Sequence, residues 1–312
     1  MTGSLMGRVL RSAVVRLPIA VLFLLIAVIL RDILLALPRS IVGPANTPSI
    51  WLAPRGAESF GWPGIAYALC AAVLMIGLAY ASYRLYLSLL ERREPSELAL
   101  SPAPEELLAG VLIGLAMVGA IIGGLWMAQA YQLVGFDAWH LALAPLAASA
   151  TAAFMEELAV RGVLFRILEE KLGSWLTLGL TSLVFGLLHA TNQNASFWST
   201  ATIALSAGMV LGAAFMVTRH LWLPIGIHFA VNFAQGGILG LPVSGRPTHG
   251  LLASRMSGPS VLTGGDFGLE ASVLVLPVSV VLGGLLLWQA WRRQQIRRPS
   301  WAKPRLETEP HA

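Results

Sequence analysis

Three short groups of residues have the types and spacing that chemistry requires: Glu156, Glu157 and Arg161; Phe185 and His189; His228 and Asn232. Each lies inside an apolar run, where an ionisable side chain costs roughly 2.5–3.5 kcal/mol on insertion scales and therefore calls for a reason. A helix advances 100° per residue, so Glu157 and Arg161, four apart, share a face, while Glu156 is turned one step away. The two carboxylates then have different jobs. Glu157 forms an internal ion pair with Arg161, and Glu156 stays unpaired, the state in which a carboxylate in a dry pocket can act as a general base.

These groups can act together only if the elements carrying them bring them to one height. A helix that continues past Glu156 to Lys171 and turns back at Gly173 places Glu156 opposite His189, because Gly173 is midway between them. Phe185 and His189 are again four apart and share a face. With a further turn near Leu221, His228 stands ~10 Å and Asn232 ~16 Å along the next helix, at 1.5 Å per residue. Taken singly, the Glu156 group reads equally as the charged edge of a span, and His189 as a packing histidine. Taken together, the three groups point to one buried cavity. One carboxylate and two imidazoles leave metal open, since Glu156, His189 and His228 form the ligand kit of several catalytic zinc sites.

The rest of the sequence describes the container. Of 312 residues, 56% are hydrophobic and only 12% charged, about half the charge a soluble domain needs to keep its surface wet. Runs of ~20 apolar residues fit a hydrocarbon core about 30 Å thick. Eight occur, at about 17–37, 62–87, 107–131, 139–159, 174–189, 197–218, 223–240 and 271–291, and they predict an all-α polytopic transmembrane bundle. The first is interrupted by Arg31 and Asp32, and the fifth and seventh are short. With the amino terminus inside, sixteen of the 21 basic residues fall in inner segments and five, Arg31, Arg39, Arg55, Arg246 and Arg255, in outer ones. Both termini are thus expected in the cytoplasm. The N-terminal stretch reads as a retained signal anchor, lacking a convincing small-x-small cleavage site.

The outer segments at about 38–61 and 241–270 are rich in Gly and Pro and read as irregular and solvent-facing. Gly110/Gly114, Gly119/Gly123 and Gly208/Gly212 are small-xxx-small pairs that suit close helix packing. The sole cysteine, Cys70, lies in an apolar run and excludes disulfides. The formal charge of +5 is a topology signal, not a nucleic-acid surface. The basic tail from Trp291 to Arg298 is expected along the inner leaflet, against anionic headgroups.

In that order on successive spans, Glu-Glu-x-x-x-Arg at 156–161, Phe-x-x-x-His at 185–189 and His-x-x-x-Asn at 228–232 resemble the CPBP intramembrane proteases. That family includes the CAAX prenyl proteases of the Ras-converting type and bacterial relatives tied to bacteriocin processing. The resemblance covers about 105–240, with spans and loops before it (1–104) and an outer loop, last span and tail after it (241–312). It implies that Glu156, assisted by His189, activates a water, that His228 and Asn232 hold the oxyanion, and that Glu157, Arg161 and Phe185 support them. Such a set supplies what peptide hydrolysis needs: a base, a donor for the leaving amine and donors for the tetrahedral oxygen. No Gly-x-Ser-x-Gly elbow and no His-Glu-x-x-His occurs.

The expected function is that of an intramembrane endopeptidase acting on a membrane-anchored protein or peptide precursor. A metal-free route is favoured over zinc, because Glu156 cannot easily be both ligand and free base. The alternatives are a proton-coupled transporter using Glu156, His189 and His228 as a relay, and a non-catalytic scaffold or immunity protein. An Arg-rich, Lys-poor, Ala- and Leu-heavy composition points to a bacterial inner membrane.

Overall fold

A computed structural model describes residues 12–35 and 61–302. Arg8, Arg11, Arg39, Arg55, Lys303 and Arg305, the start of the N-terminal anchor and the outer segment 38–60 lie outside the described residues.

Helices form where the apolar runs predicted them. They are α1 (Ala13–Leu34), α2 (Gly61–Tyr86, with a π-helical end at Leu87–Glu91), α3 (Ala103–Met127), α4 (Leu143–Glu157), α5 (Arg166–Leu188), α6 (Phe197–Ile203), α7 (Met209–Thr218), α8 (Trp222–Phe233) and α9 (Val275–Arg292). π-helical turns join α4 to α5 at Leu158–Phe165 and α6 to α7 at Ala204–Gly208, and extend α8 over Ala234–Ile238. The chain is therefore a helical membrane bundle. Among the described residues, six stretches are long and apolar enough to cross a bilayer, and one of these, Trp139–Leu188, is broken at Gly173, whose φ of 70° no helix interior allows. Counting both arms of that break and the shorter α8, each of the eight predicted runs has its helix.

Local signals explain several boundaries. Proline occupies the first turn of α3 and Glu105 and Glu106 follow it, an arrangement that suits the positive end of a helix. Ser196 and Ser199 form a reciprocal capping box at the start of α6. Arg92, at φ 55°, turns the chain out of α2.

Side chains such as Leu108, Leu112, Val280, Val281 and Leu285 remain more than half exposed on the outer faces of α3 and α9, where lipid would meet them. Lipid tails are as apolar as those side chains, so helices associate by close packing instead. Gly110 and Gly114 on α3 meet the backbone of Gly226 and Ile227 and the Ala230 methyl group on α8: a Cβ at Gly110 would fall 2.4 Å from the Leu223 carbonyl oxygen. Gly208 and Gly212 admit α5 in the same way through Ser182 and Leu178. Gly119 and Gly123 have nothing within 4 Å of an added Cβ, so that pair does not pack helices among the described residues.

One end of the bundle gathers charge. Arg16 pairs with Glu170, Arg166 with Glu91 at 2.7 Å, Arg93 with Glu97 at 2.8 Å and Arg219 with Glu169 at 2.6 Å. All these arginines come from segments expected inside. The tail folds onto this end: Ser174 N donates to the Arg297 carbonyl at 3.0 Å, Ser300 N donates to the Lys171 carbonyl at 2.9 Å, and Arg219 donates to the Gln295 carbonyl. Its exposed arginines thus sit on a segment pinned to the Gly173 turn.

The other end corrects the expectation of an irregular, solvent-facing segment at 241–270. Strand β1 (Tyr131–Phe136) pairs antiparallel with β2 (Leu252–Met256), tying that segment to the end of α3. Leu241, Thr263, Phe267 and Leu269 within it are buried. Apolar residues scattered among the glycines, and not a regular period, let the segment fold back over the bundle.

Candidate active site

The break at Gly173 does what the midpoint arithmetic requires. Glu156, at the last turn of α4, and His189, just past α5, face each other, with Glu156 Oε2 3.8 Å from His189 Nε2. The same oxygen is 3.8 Å from His228 Nε2, on α8. It is buried and accepts no hydrogen bond from any described residue.

Each imidazole is oriented from its far side. His189 Nδ1 is 2.8 Å from the Phe185 carbonyl oxygen, four residues earlier. A carbonyl only accepts, so Nδ1 carries a proton, and in the neutral ring Nε2 bears the lone pair. His228 Nδ1 is 3.0 Å from Glu157 Oε1, which fixes that ring the same way. Both Nε2 atoms therefore aim at Glu156 Oε2. At 3.8 Å they are too distant for a direct hydrogen bond, but a water placed between can reach two such atoms at once.

Glu157 is more heavily used than its sequence partner alone suggests. Oε1 accepts from Arg161 Nη1 at 2.8 Å as well as meeting His228, and Glu157 and Arg161 are wholly buried. Arg161 Nη2 donates to the Gly208 carbonyl at 3.0 Å, an oxygen in the π-helical turn between α6 and α7. Widened turns of this kind misalign backbone carbonyls from their helical donors, and a guanidinium suits such an oxygen. The Arg161 guanidinium also stands 4.6 Å over the Phe185 ring, and that ring lies 4.9 Å from His189 and 5.9 Å from His228. Phe185 is the apolar surface that all three side chains meet, Arg161 over its face, His189 tilted and His228 edge-on. Truncating one partner of a pair buried this deeply ordinarily costs about 3–5 kcal/mol.

Two cavities meet at these residues. The larger, about 230 Å³, is lined by Glu156, His189 and Asn232, by the small-residue face of α4 (Pro145, Ala148, Ser149, Ala152), and by Val243, Ser244, Arg246 and Thr248 from the segment after α8. It thus faces the end of the bundle opposite the basic network. The smaller, about 40 Å³, lies among His189, His228, Asn232 and Glu270. All seven residues singled out by sequence are brought together. Ser244, Arg246 and Glu270 were missed, and no spacing could have revealed them: they join the site through loop packing, with Glu270 reaching Ser244 across 26 residues.

A carboxylate oxygen free of partners, two oriented imidazoles and an amide around a cavity of about 230 Å³ are the parts of a hydrolytic site. Among the described residues, no three His, Cys, Asp or Glu side chains are gathered into a group fit to hold a metal ion. Tetrahedral zinc at 2.0–2.2 Å from its ligands sets their atoms about 3.4 Å apart, and the two spacings at Glu156 are 3.8 Å, wider than that.

Residues 138–234 match the family model described as type II CAAX prenyl endopeptidase, Rce1-like. The match covers less than half of the chain, yet it contains Glu156, Glu157, Arg161, Phe185, His189, His228 and Asn232. Ser244, Arg246 and Glu270 fall beyond it. No curated protein matches the chain.

Proposed function

Because residues 138–234 are of the CPBP intramembrane protease family, we propose that this membrane protein is an endopeptidase that hydrolyses a peptide bond of a membrane-anchored protein or peptide precursor. The observation that carries the reading is the convergence of Glu156 Oε2 with the Nε2 atoms of His189 and His228 where the 230 Å³ cavity adjoins the smaller one.

In this reading a water held between Glu156 and His189 loses its proton to the Glu156 carboxylate as its oxygen attacks the carbonyl carbon of the peptide. His228, its Nδ1–H held by the Glu157 carboxylate, acts here as the doubly protonated imidazolium and presents Nε2–H to the developing oxyanion, and the Asn232 amide adds a second donor. Glu156, now protonated, returns its proton to the leaving amine, with His189 steering the transfer. The Glu157–Arg161–Phe185 assembly moves no proton. It fixes the rings, so the reacting groups are aligned before substrate arrives.

The favoured route needs no metal. The competing route, in which Glu156, His189 and His228 hold a divalent ion, would use that ion to polarise water and carbonyl. In this reading the protein lies in a bacterial inner membrane with both termini in the cytoplasm, which the concentration of basic residues in alternate loops supports, and the exposed arginines of the tail meet the anionic leaflet. The larger cavity then opens toward the outer face, and the substrates are precursors whose cleaved segment reaches that face.

The test is a termini-resolved mass-spectrometric comparison of membrane and secreted proteins from cells carrying the wild-type chain or Glu156→Gln at equal abundance. Specific precursors should persist uncut only with the variant. An unchanged set of termini, with the wild-type protein abundant, would overturn the reading and favour a proton relay or scaffold.

A further inference from the structure

Glu270 comes from the segment between α8 and α9, outside the matched residues, and it faces the histidine pair from behind. It lines the 40 Å³ inner cavity with His189, His228 and Asn232. That volume exceeds the ~10–15 Å³ that one water requires. His189 and Asn232 line both cavities, so the inner cavity lies directly behind the one that holds Glu156.

The carboxyl group is built in, not incidental. It accepts from Ser244 N at 2.8 Å and from Ser244 Oγ at 3.0 and 3.1 Å. Ser244 belongs to the wall of the larger cavity and has φ 48°, a conformation costly for a residue with a Cβ, which its neighbourhood must enforce. Gly245 follows at φ 81°, where an added Cβ would collide with the Gln193 carbonyl, and Asn194 donates to the Gly245 carbonyl at 3.3 Å. The Ser244–Gly245 turn is thus held on one side by Glu270 and on the other by the chain just after His189. Burial pushes the Glu270 carboxyl up, against the opposing pull of His189 and the Ser244 hydrogen bonds.

We propose that Glu270, anchored by Ser244, is a positioning residue of the hydrolytic site, holding the Ser244 wall in place and setting the charge that faces His189 and His228 through the inner cavity. The other charged groups around the pair are Glu156 and Glu157 at the end of α4, Arg161 beneath Phe185, and Arg246 on the cavity wall. This inference rests on the hydrolase reading above.

The experiment uses the full-length protein in liposomes with two probes, a prenylated CAAX peptide and a synthetic peptide copied from a precursor that Glu156→Gln leaves uncut. Glu270→Gln keeps the shape and the hydrogen bonds to Ser244 but removes the ionisable group. It should lower kcat about tenfold at unchanged KM and delete one ionisation from the kcat–pH profile. Glu270→Asp should restore that ionisation in part. Ser244→Ala, which loosens the wall and keeps the carboxyl, should raise KM and spare kcat. A Glu270→Gln protein with wild-type kcat and pH profile, or one altered only in KM, overturns the inference while an inactive Glu156→Gln leaves the hydrolase reading standing. If Glu270→Gln does not fold, the inference stands or falls on Glu270→Asp, whose withdrawn carboxyl should keep that ionisation but displace it along the pH axis and lower kcat: a kcat and pH profile identical to the wild type's overturn it. Cleavage by Glu156→Gln at the wild-type rate overturns both readings.

Discussion

Gly110→Ala adds one methyl group on α3, a helix that supplies none of the charged or hydrogen-bonding groups of the site, and it should nevertheless disable the site. The new Cβ would stand 2.4 Å from the Leu223 carbonyl oxygen and 2.9 Å from Gly226 Cα, backbone atoms that cannot rotate aside. Raising the shorter contact from 2.4 to 3.0 Å, below which real Cβ atoms are essentially never found, moves α3 and α8 apart by about 0.6 Å. Helix α8 behaves as a rod, so the displacement reaches His228 and Asn232, two and six residues beyond Gly226. A misplacement of about 1 Å can cost on the order of 10²-fold in rate, and overpacking of this kind costs about 1–3 kcal/mol of stability. The expected result is a loss of turnover between about ten- and a hundredfold with a lowered Tm in detergent. Gly119→Ala and Gly123→Ala are the controls, for they make the same chemical change in the same helix where nothing lies within 4 Å. Alanine is the better helix former by about 1 kcal/mol, so both controls should keep activity and match or exceed the wild-type Tm. Full turnover in Gly110→Ala, or equal damage in the controls, would refute the coupling of the α3–α8 seam to the site.

Two further outcomes test separate features. Exhaustive chelation of the purified protein should leave hydrolysis of the precursor peptide unchanged; activity lost on chelation and restored by zinc would assign Glu156, His189 and His228 as metal ligands. Glu97, in the short 3₁₀ turn at Ser96–Leu98, predicts a pH dependence of stability. Burial pushes its carboxyl up, but the hydrogen bonds and charge of Arg93, with the Tyr83 hydroxyl, outweigh burial and leave it below its ordinary value. A carboxyl lowered in the folded state binds fewer protons there than in the unfolded chain, so its contribution is complete above the unfolded value near 4.3 and fades as pH falls through the folded one. Acidification through that range should lower Tm more steeply in the wild type than in Glu97→Gln, read by thermal unfolding at a series of pH values. Parallel curves would show that the Arg93–Glu97 contact does not couple to folding.

What the sequence made legible was whatever is set by period and chain arithmetic. Eight apolar runs became helices, and the i, i+4 pairs Glu157/Arg161, Phe185/His189 and His228/Asn232 fell on shared faces, because helix geometry alone decides both. The meeting of Glu156 with His189 followed from one glycine midway between them, where a φ of 70° breaks the helix. Contacts between elements that obey no period stayed hidden. Gly119 and Gly123 have the same spacing as Gly110 and Gly114, yet only the latter pair touches α8, since spacing does not say which face meets a neighbour. The second duty of Glu157, orienting His228, depends on α8 lying beside α4, which neither helix encodes alone. The segment 241–270 read as solvent-facing because glycine and proline mark turns equally well in a free loop and in one folded onto a core.

That last difference bears on how chemistry and selection divide along the chain. The residues that would make and break bonds lie within 138–234, the part that matches a family model, and they are held by helix faces, ring stacking and a buried ion pair. Helices hold such groups precisely enough for a water to sit between a carboxylate and two imidazoles, and one substitution in that frame disturbs all of it. The remaining wall of the cavity is Val243, Ser244, Arg246 and Thr248, on a turn pinned by Glu270 and tied by β2 to the end of α3. A peptide approaching Glu156 from the loop end meets those four side chains first. Exchanging Val243 or Thr248 changes the shape offered to a substrate without touching a hydrogen bond of the Glu156–His189–His228 set. On the hydrolase reading proposed above, the wall is therefore where this chain would differ in substrate from others that share the motifs, while Ser244 and Glu270 would link that choice to the position of the histidines.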